Sequence, residues 1–259
     1  MDSNQNMEIH LQEFMQVNFV VDTDKDFDGF FMSLKRGSVF HFIAASSLVQ
    51  LRHDPGFAKT LNNGYSICDS RVIEILSRFL GKRIQRIRGA DFLRSFFSKI
   101  SLSRRHLFIG STAHVMQSLI AEIDSLSITH QEIEFVCPQF DLQLESQIKG
   151  LIKEVTTRDF DYIWIAMGSP KQDYIAHSLI GHFKGSIFCV GAAVDFVSGS
   201  KSEAPLIFQF LGIEWLYRLA QEPRRLFSRY TVGNIQFISL FCKWAVRTKF
   251  SNRSSRGSI

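Results

Sequence analysis

Short, continuous apolar runs recur along most of the chain, and longer amphipathic segments lie between them. Five runs of four to six residues are rich in β-branched and aromatic side chains: residues 39–44, 106–110, 133–137, 162–167 and 187–190. Such runs are typical of strands buried on both faces. The clearest amphipathic segments are residues 70–80, 113–123, 142–155 and 171–180. The alternation predicts an α/β fold, a Rossmann-like parallel sheet flanked by helices.

This alternation ends near Pro205. Residues 206–226 have a largely helical pattern, in which Pro223 predicts a kink or a new helix start. Residues 235–246 are apolar but are interrupted by Lys243. We therefore expect an α/β domain over residues 1–204 and a helical appendage over residues 205–259.

The composition is that of a soluble globular protein. Of the 259 residues, 45% are hydrophobic and 21% are charged, which excludes a mainly disordered chain. The sequence contains no run of about 20 uncharged apolar residues, so we expect no membrane-spanning helix. The acidic, polar start lacks the order of a secretory signal, so we expect a cytoplasmic protein. The four cysteines are far apart without a C-x-x-C pair, which disfavours structural zinc and a disulfide framework.

Positive charge is concentrated at the end of the chain. From Trp215 onward there are nine basic residues and one acidic residue, a net charge of +8. The first 214 residues carry 21 basic and 24 acidic residues, a net charge of −3. The basic tail could meet nucleic acid, anionic lipid or a phosphorylated ligand, and its charge alone does not choose among them.

Common catalytic motifs are missing from the sequence. It contains no G-x-G-x-x-G, G-x-x-x-x-G-K-[ST], G-x-S-x-G or H-E-x-x-H, and its eight histidines are scattered. Nicotinamide, P-loop, acyl-hydrolase and zinc chemistry thus lose their main support. Asp24, Asp26, Asp28 and Gly29 match the opening of a calcium loop, but its twelfth position is Lys35 instead of glutamate. A solvated N-terminal cap explains these aspartates better.

Ligands of such sheets bind where strands lead into helices, so three loops are candidates. They contain the potential binding residues Gly110, Ser111, Gly168, Lys171 and Asp195. The small, polar turn at Gly110 and Ser111 could meet a ribose or phosphate, although a plain turn explains it equally well.

Two aspartates follow predicted strands or open helices, and either could serve as an acid or base. They are Asp69 and Asp195. Taken alone, each is better explained as a helix N-cap.

Arginines cluster in the appendage. If residues 215–230 form one helix, Arg218, Arg225 and Arg229 share a face. A guanidinium can bind two phosphate oxygens at once and stays positively charged at any physiological pH, so this face could bind a diphosphate. A solvated helix face and a lipid-facing patch are the alternatives.

Together these segments resemble the WecG/TagA/CpsF family of bacterial glycosyltransferases. The resemblance rests on CDSRV at 68–72, RIRGAD at 86–91, MGSPKQD at 167–173, VGAAVDFVSG at 190–199 and the run at 215–230. It implies an inverting, metal-independent transferase without a cofactor, whose catalytic domain is the α/β domain. The implied donor is a UDP-sugar carrying N-acetylmannosamine, its uronic acid or a related hexose. The implied acceptor is linked to undecaprenyl diphosphate in cell-surface polysaccharide synthesis.

The resemblance also implies roles for individual residues. The family's base matches Asp69, and its active-site arginine and glutamine match Arg86 and Gln172. The arginines that cover the nucleotide diphosphate match Arg218 and Arg225, with Arg229 nearby.

The sequence departs from the family pattern in several places. Ala44-Ala45-Ser46-Ser47 stands where the family usually has a threonine and an asparagine, so Ser46 is only a loose substitute for an acceptor or donor contact. Glu203 stands where the family usually has arginine, and Asp173 stands where it has glutamate. These departures leave open a catalytically decayed, membrane-associated partner of the same fold.

A lipid-linked acceptor requires access to a membrane, and the tail could provide it. The apolar side chains at positions 237, 238, 240, 241 and 244 could lie in a leaflet interface while Arg247, Lys249, Arg253 and Arg256 meet anionic lipid. The alternative is a helix that packs on the domain. We expect a peripheral protein on the inner face of the cell membrane and not a nucleic-acid binder. The sequence leaves a homo-oligomer open.

Overall fold

A computed structural model describes residues 9–21, 37–138 and 144–254, except for the side chains of residues 144, 147, 225, 228–230 and 249–254. It confirms the α/β prediction, because the described residues form an eight-stranded sheet in the order β1-β2-β4-β3-β8-β7-β5-β6. The hairpin β1–β2 is antiparallel, and all other neighbouring strands are parallel. The strands are β1 His10–Phe14, β2 Val17–Val21, β3 Val39–Ile43, β4 Tyr65–Cys68, β5 Arg105–Gly110, β6 Glu132–Val136, β7 Tyr162–Ala166 and β8 Ser186–Cys189.

Helices flank this sheet and form the end of the chain. They are α1 Ala45–Leu48, α2 Gly56–Asn62, α3 Arg71–Phe79, α4 Gly89–Lys99, α5 Ala113–Leu126, α6 Leu144–Thr157, α7 Lys171–Leu179, α8 Ala193–Val197, α9 Leu206–Leu211, α10 Glu214–Gln221 and α11 Pro223–Ser254. A short 3-10 helix, Val49–Arg52, follows α1. Among the helices of the described segments, none has the length and apolar character needed to cross a membrane.

Alternate residues of the central strands pack on opposite faces of the sheet. Phe40 and Phe42 of β3 belong to a core formed with α4, α5 and α8, whereas Val39 belongs to a core formed with α6 and α7. Trp164 at the centre of β7 is fully buried, and its ring stacks on Phe188 at a centroid distance of 4.6 Å. Both faces are therefore apolar, as the continuous runs predicted.

The C-terminal helix α11 packs on the sheet domain. Phe237 is buried at 3% exposure, and Trp244 packs on Phe14 at a centroid distance of 5.0 Å. Leu240 and Phe241 contact the same cluster. The expectation that these side chains lie in a leaflet is wrong for Phe237, and the alternative of packing on the domain accounts for all four. Of the five side chains, Ile238 remains exposed.

Candidate functional site

Asp69 lies at the carboxyl edge of the sheet, where β4 ends. Its backbone N–H donates to the carbonyl of Ile43 at the end of β3, at 3.0 Å. The N–H of Ile87 donates to the carbonyl of Cys68 at 2.8 Å, and Arg86 forms a parallel bridge with Cys68. These bonds fix Asp69 between the ends of two parallel strands and place Arg86 beside it.

The surroundings of the Asp69 carboxylate suit a base. The side chain is half-buried, and its Oδ1 accepts a hydrogen bond from Gly89 N, the first residue of α4, at 3.2 Å. Burial raises the pKa of Asp69 to about 6, although Arg86, the Gly89 hydrogen bond and Arg218 lower it and Glu214 raises it further. At neutral pH the group is therefore mostly ionised and can accept a proton.

The N-cap interpretation of the two aspartates is wrong for the helices that follow them. Ser70 caps α3, because its hydroxyl accepts a hydrogen bond from Ile73 N at 3.4 Å. Asp195 lies inside α8 instead of preceding it. The Asp195 carboxylate contacts Ser111 Oγ at 3.3 Å and Lys201 Nζ at 2.5 Å.

Arg86 connects the site to the appendage. Its Nη1 donates to the carbonyl of Gln209 at 3.1 Å, and its Nη2 forms an ion pair with Glu214 at the start of α10. Its Nε is buried and has no hydrogen-bond partner among the described residues. Arg86 thus contacts both α9 and α10.

The arginines of the appendage do not share one helix. Arg218 belongs to α10, which ends at Gln221, and a new helix begins at Pro223. The single face predicted for positions 218, 225 and 229 is therefore wrong. The Arg218 guanidinium lies over the ring of Phe196, 4.5 Å from its centroid, and contributes to the electrostatics of Asp69. The side chains of Arg225 and Arg229 lie outside the description, so their role stays a prediction.

The loop after β5 has a backbone that needs glycine. Gly110 has a φ of +116°, and a Cβ on it would lie 2.6 Å from the carbonyl oxygen of Ala166. Ser111 also has a positive φ, of 55°, and its hydroxyl donates to Asp195. The structure thus brings the predicted Ser111 and Asp195 together across two strand ends.

Gln172 joins two loops of the same edge. Its Oε1 accepts a hydrogen bond from Gly168 N at 3.1 Å, and its Nε2 donates to the carbonyl of Cys189 at 3.2 Å. The side chain is buried, and Lys171 beside it begins α7. Gln172 therefore positions the loop after β7.

Ser46 lies elsewhere on this edge, half-buried in α1, which packs against α11.

A buried polar network under this loop is missing from the sequence prediction. His41 Nδ1 lies 2.7 Å from Asp173 Oδ1, and Ser169 Oγ donates to Asp173 Oδ2 at 2.6 Å. Ligand atoms of His41, Asp173 and Cys189 lie within 4.8 Å of one another, a spacing that a metal could use. However, the histidine and the aspartate already bond each other, and burial raises the pKa of Cys189, which disfavours a thiolate ligand. Hydrogen bonding accounts for this cluster.

The aspartates at positions 22–28 lie outside the described residues.

Glu203, like Glu214, forms ion pairs that the sequence did not suggest. Glu203 forms ion pairs with Arg88 and with Arg94, the latter at 2.6 Å. These arginines hold the pKa of Glu203 below its usual range, although burial opposes them. The departure from the family arginine thus fits its surroundings, because an arginine here would face two guanidiniums.

A cleft with a volume of about 650 Å³ lies between α3, α4 and α9. Arg86 and Ile87 line it, but Asp69 does not. Its other walls combine charged and apolar side chains: Arg71, Glu74, Arg88, Asp91, Phe92, Ser95, Leu206, Gln209 and Phe210. Such a mixed cleft can hold a ligand with an anionic head and an apolar part.

A comparison with known protein families identifies the family of this chain. A family model described as the glycosyl transferase WecG/TagA/CpsF family matches residues 25–251. The match includes every predicted site residue, from Ser46 to Arg229.

Proposed function

Because the chain belongs to the WecG/TagA/CpsF family of glycosyl transferases, we propose that it moves a sugar from a UDP-sugar to an acceptor linked to undecaprenyl diphosphate. As a member of that family it is a glycosyltransferase of cell-surface polymer synthesis. The finer proposal specifies an N-acetylmannosamine, its uronic acid or a related hexose as the sugar. It also specifies inversion at the anomeric carbon and no need for a metal ion.

The observation that carries this proposal is the grouping of Asp69, Arg86 and Arg218. In an inverting transfer the acceptor hydroxyl attacks the anomeric carbon from the face opposite UDP. Asp69 takes the hydroxyl proton, the new carbon–oxygen bond forms, and the bond to UDP breaks. The raised pKa of Asp69, about 6, suits a base that works near neutral pH.

Positive charge at the leaving group comes from arginine. The departing UDP gains negative charge as its bond to the sugar breaks, and fixed cations stabilise that charge. Arg86 has an unpartnered Nε, and Arg218 lies within electrostatic reach of Asp69. Arg225 and Arg229 would add to this cluster. These guanidiniums take the place that a divalent ion holds in other transferases.

The other predicted residues support the same site. Gly110, Ser111 and Asp195 would contact the nucleotide or sugar at the sheet edge. Gly168 and Lys171 would do so on the loop that Gln172 holds in place.

Access to the lipid would come from the appendage. Exposed apolar side chains on α9 lie beside the mixed cleft: Leu206, Ile207, Phe210 and Leu211. We propose that these side chains and the basic tail place the protein on the inner face of the cell membrane.

A transfer assay tests this function. The full chain is incubated with each candidate UDP-sugar and a short-chain diphosphate-lipid acceptor, and product mass is measured. We expect a gain of one sugar with one donor, equal rates with and without EDTA, and a gain at least about 100-fold slower with Asp69→Asn. If no donor reacts and calorimetry detects no UDP binding at millimolar concentrations, the decayed partner is the correct alternative.

A further inference from the structure

The segment from Glu203 to the start of α10 is joined to the sheet domain by ion pairs in which the sheet domain supplies the arginines. Arg86 pairs with Glu214, and Arg88 and Arg94 pair with Glu203. Glu203 precedes α9 and Glu214 begins α10, and both of these helices contact Arg86.

The two glutamates differ in their relation to the Asp69 carboxylate. Glu214 contributes to the electrostatics of Asp69, whereas the carboxylate of Glu203 is bound by Arg88 and Arg94. The side chains of Arg86 and Glu214 are 11% and 17% exposed, so water screens their ion pair poorly. The same guanidinium donates to the carbonyl of Gln209, which fixes its plane at two points.

We propose that Glu214 is a positioning residue of the transfer reaction, which orients the Arg86 guanidinium and anchors α10 next to Asp69. This inference rests on the proposed function, since it assigns Asp69 as the base. Glu214 itself need not touch the substrate. Its carboxylate acts through Arg86 and through the placement of α10, which carries Arg218.

The groups that face Asp69 determine what loss of Glu214 would do. They are the Arg86 and Arg218 guanidiniums, the Glu214 carboxylate, and the backbone N–H of Gly89. The adjacent Cys68 thiol stays neutral because burial raises its pKa to about 12. Without the negative charge of Glu214, two guanidiniums face Asp69 and only burial opposes them. Asp69 then holds a proton less tightly and is a weaker base.

A matched pair of variants tests this role. Glu214→Gln and Glu203→Gln each remove one negative charge that pairs with a domain arginine. The Asp69 carboxyl is titrated by ¹³C NMR in the full chain, with Asp69→Asn assigning its signal. We expect Glu214→Gln to lower the Asp69 midpoint by about 0.3 to 0.5 pH unit and Glu203→Gln to change it by less than about 0.1. Equal shifts in both variants, or no shift in Glu214→Gln, would overturn the proposal.

A third variant and an activity profile distinguish positioning from general damage. Glu214→Asp keeps the charge, so it should restore most of the Asp69 midpoint if the fold is intact by circular dichroism. In transfer assays of Glu214→Gln, the acid limb of the pH profile of kcat/KM should shift to lower pH by the same amount as the NMR midpoint. An active wild type whose limb is unmoved by Glu214→Gln refutes the role of Glu214. Absence of transfer in the wild type, with the NMR shift present, refutes the proposed function instead.

Discussion

At the scale of single residues, Asp69 is held between burial and positive charge. Burial favours its neutral form, while Arg86 and Arg218 favour the anion. A fully exposed aspartate is too weak a base near pH 7, and one paired closely with arginine is weaker still. The intermediate environment keeps the group ionised yet able to accept a proton.

The first prediction concerns the identity of the base. Asp69→Asn keeps the shape of the side chain and an oxygen that can accept from Gly89 N, but it cannot take a proton. We expect kcat to fall by about 10²- to 10⁴-fold with UDP binding retained. Asp124→Asn, an exposed aspartate on α5, is the control and should retain full activity. Near-normal turnover in Asp69→Asn would exclude Asp69 as the base.

The pH dependence of the reaction follows from the same group. Because the pKa of Asp69 is raised to about 6, the base is ionised above that pH and protonated below it. We expect kcat/KM to be about tenfold lower at pH 5 than at pH 8, since about one molecule in eleven then carries an ionised base. An acid limb centred near pH 4, the ordinary range of aspartate, would contradict this assignment.

At the scale of elements, continuity of apolar residues decided which strands could be predicted. Strands β3, β5, β7 and β8 agree with the predicted runs within about two residues, because strands buried on both faces need apolar side chains throughout. The edge strand β6 agrees as well, although it is only half-buried. Strand β4, Tyr65–Cys68, was not predicted because it has only four residues and the polar Ser66 interrupts its apolar run. The β1–β2 hairpin turns at Met15 and Gln16, whose φ angles are 52° and 68°. Turns of this kind usually contain asparagine or glycine, so the sequence gives no sign of this one.

The candidate site was predictable in part. Asp69, Ser111 and Asp195 follow strands, and the common edge of a parallel sheet explains their placement. Glu214 was not predictable, because it meets Arg86 across 128 positions of sequence. Arg218 was assigned to the wrong helical face because a helix break at Glu222 has no strong local signal beyond Pro223. Proline is well tolerated as a first helical residue, so it marks a start as readily as a kink.

The packing of α11 gives a prediction at this scale. Phe237 is 3% exposed and Ile238 is 47% exposed, so adjacent positions on one helix differ in burial. We expect Phe237→Ala to lower the free energy of unfolding by about 3 to 5 kcal/mol. Ile238→Ala should lower it by less than about 1 kcal/mol. Urea denaturation followed by circular dichroism measures both. Similar losses in the two variants would mean that α11 is not seated as described.

At the scale of the whole molecule, charge and apolar surface are divided between the two parts. The first 214 residues carry a net charge of −3, and the remainder carries +8. Phe237 is buried and Trp244 is partly buried against the domain, so Phe237 is not available to a bilayer. In the proposed membrane contact, attraction would come from the basic residues and from the exposed apolar side chains of α9.

This division of charge predicts binding to anionic vesicles that depends on salt. Full-length protein should sediment with vesicles containing about 30% anionic lipid at low salt, and largely remain in solution at high salt, because the Debye length shrinks. The double variant Lys243→Gln/Arg247→Gln removes two exposed charges of α11 and should bind at least about tenfold more weakly. Lys149→Gln/Lys153→Gln makes the same charge change on exposed positions of α6 and should bind like the wild type. If both double variants lose binding equally, net charge and not the appendage determines the contact. Binding that withstands high salt would instead assign the contact to the apolar side chains of α9.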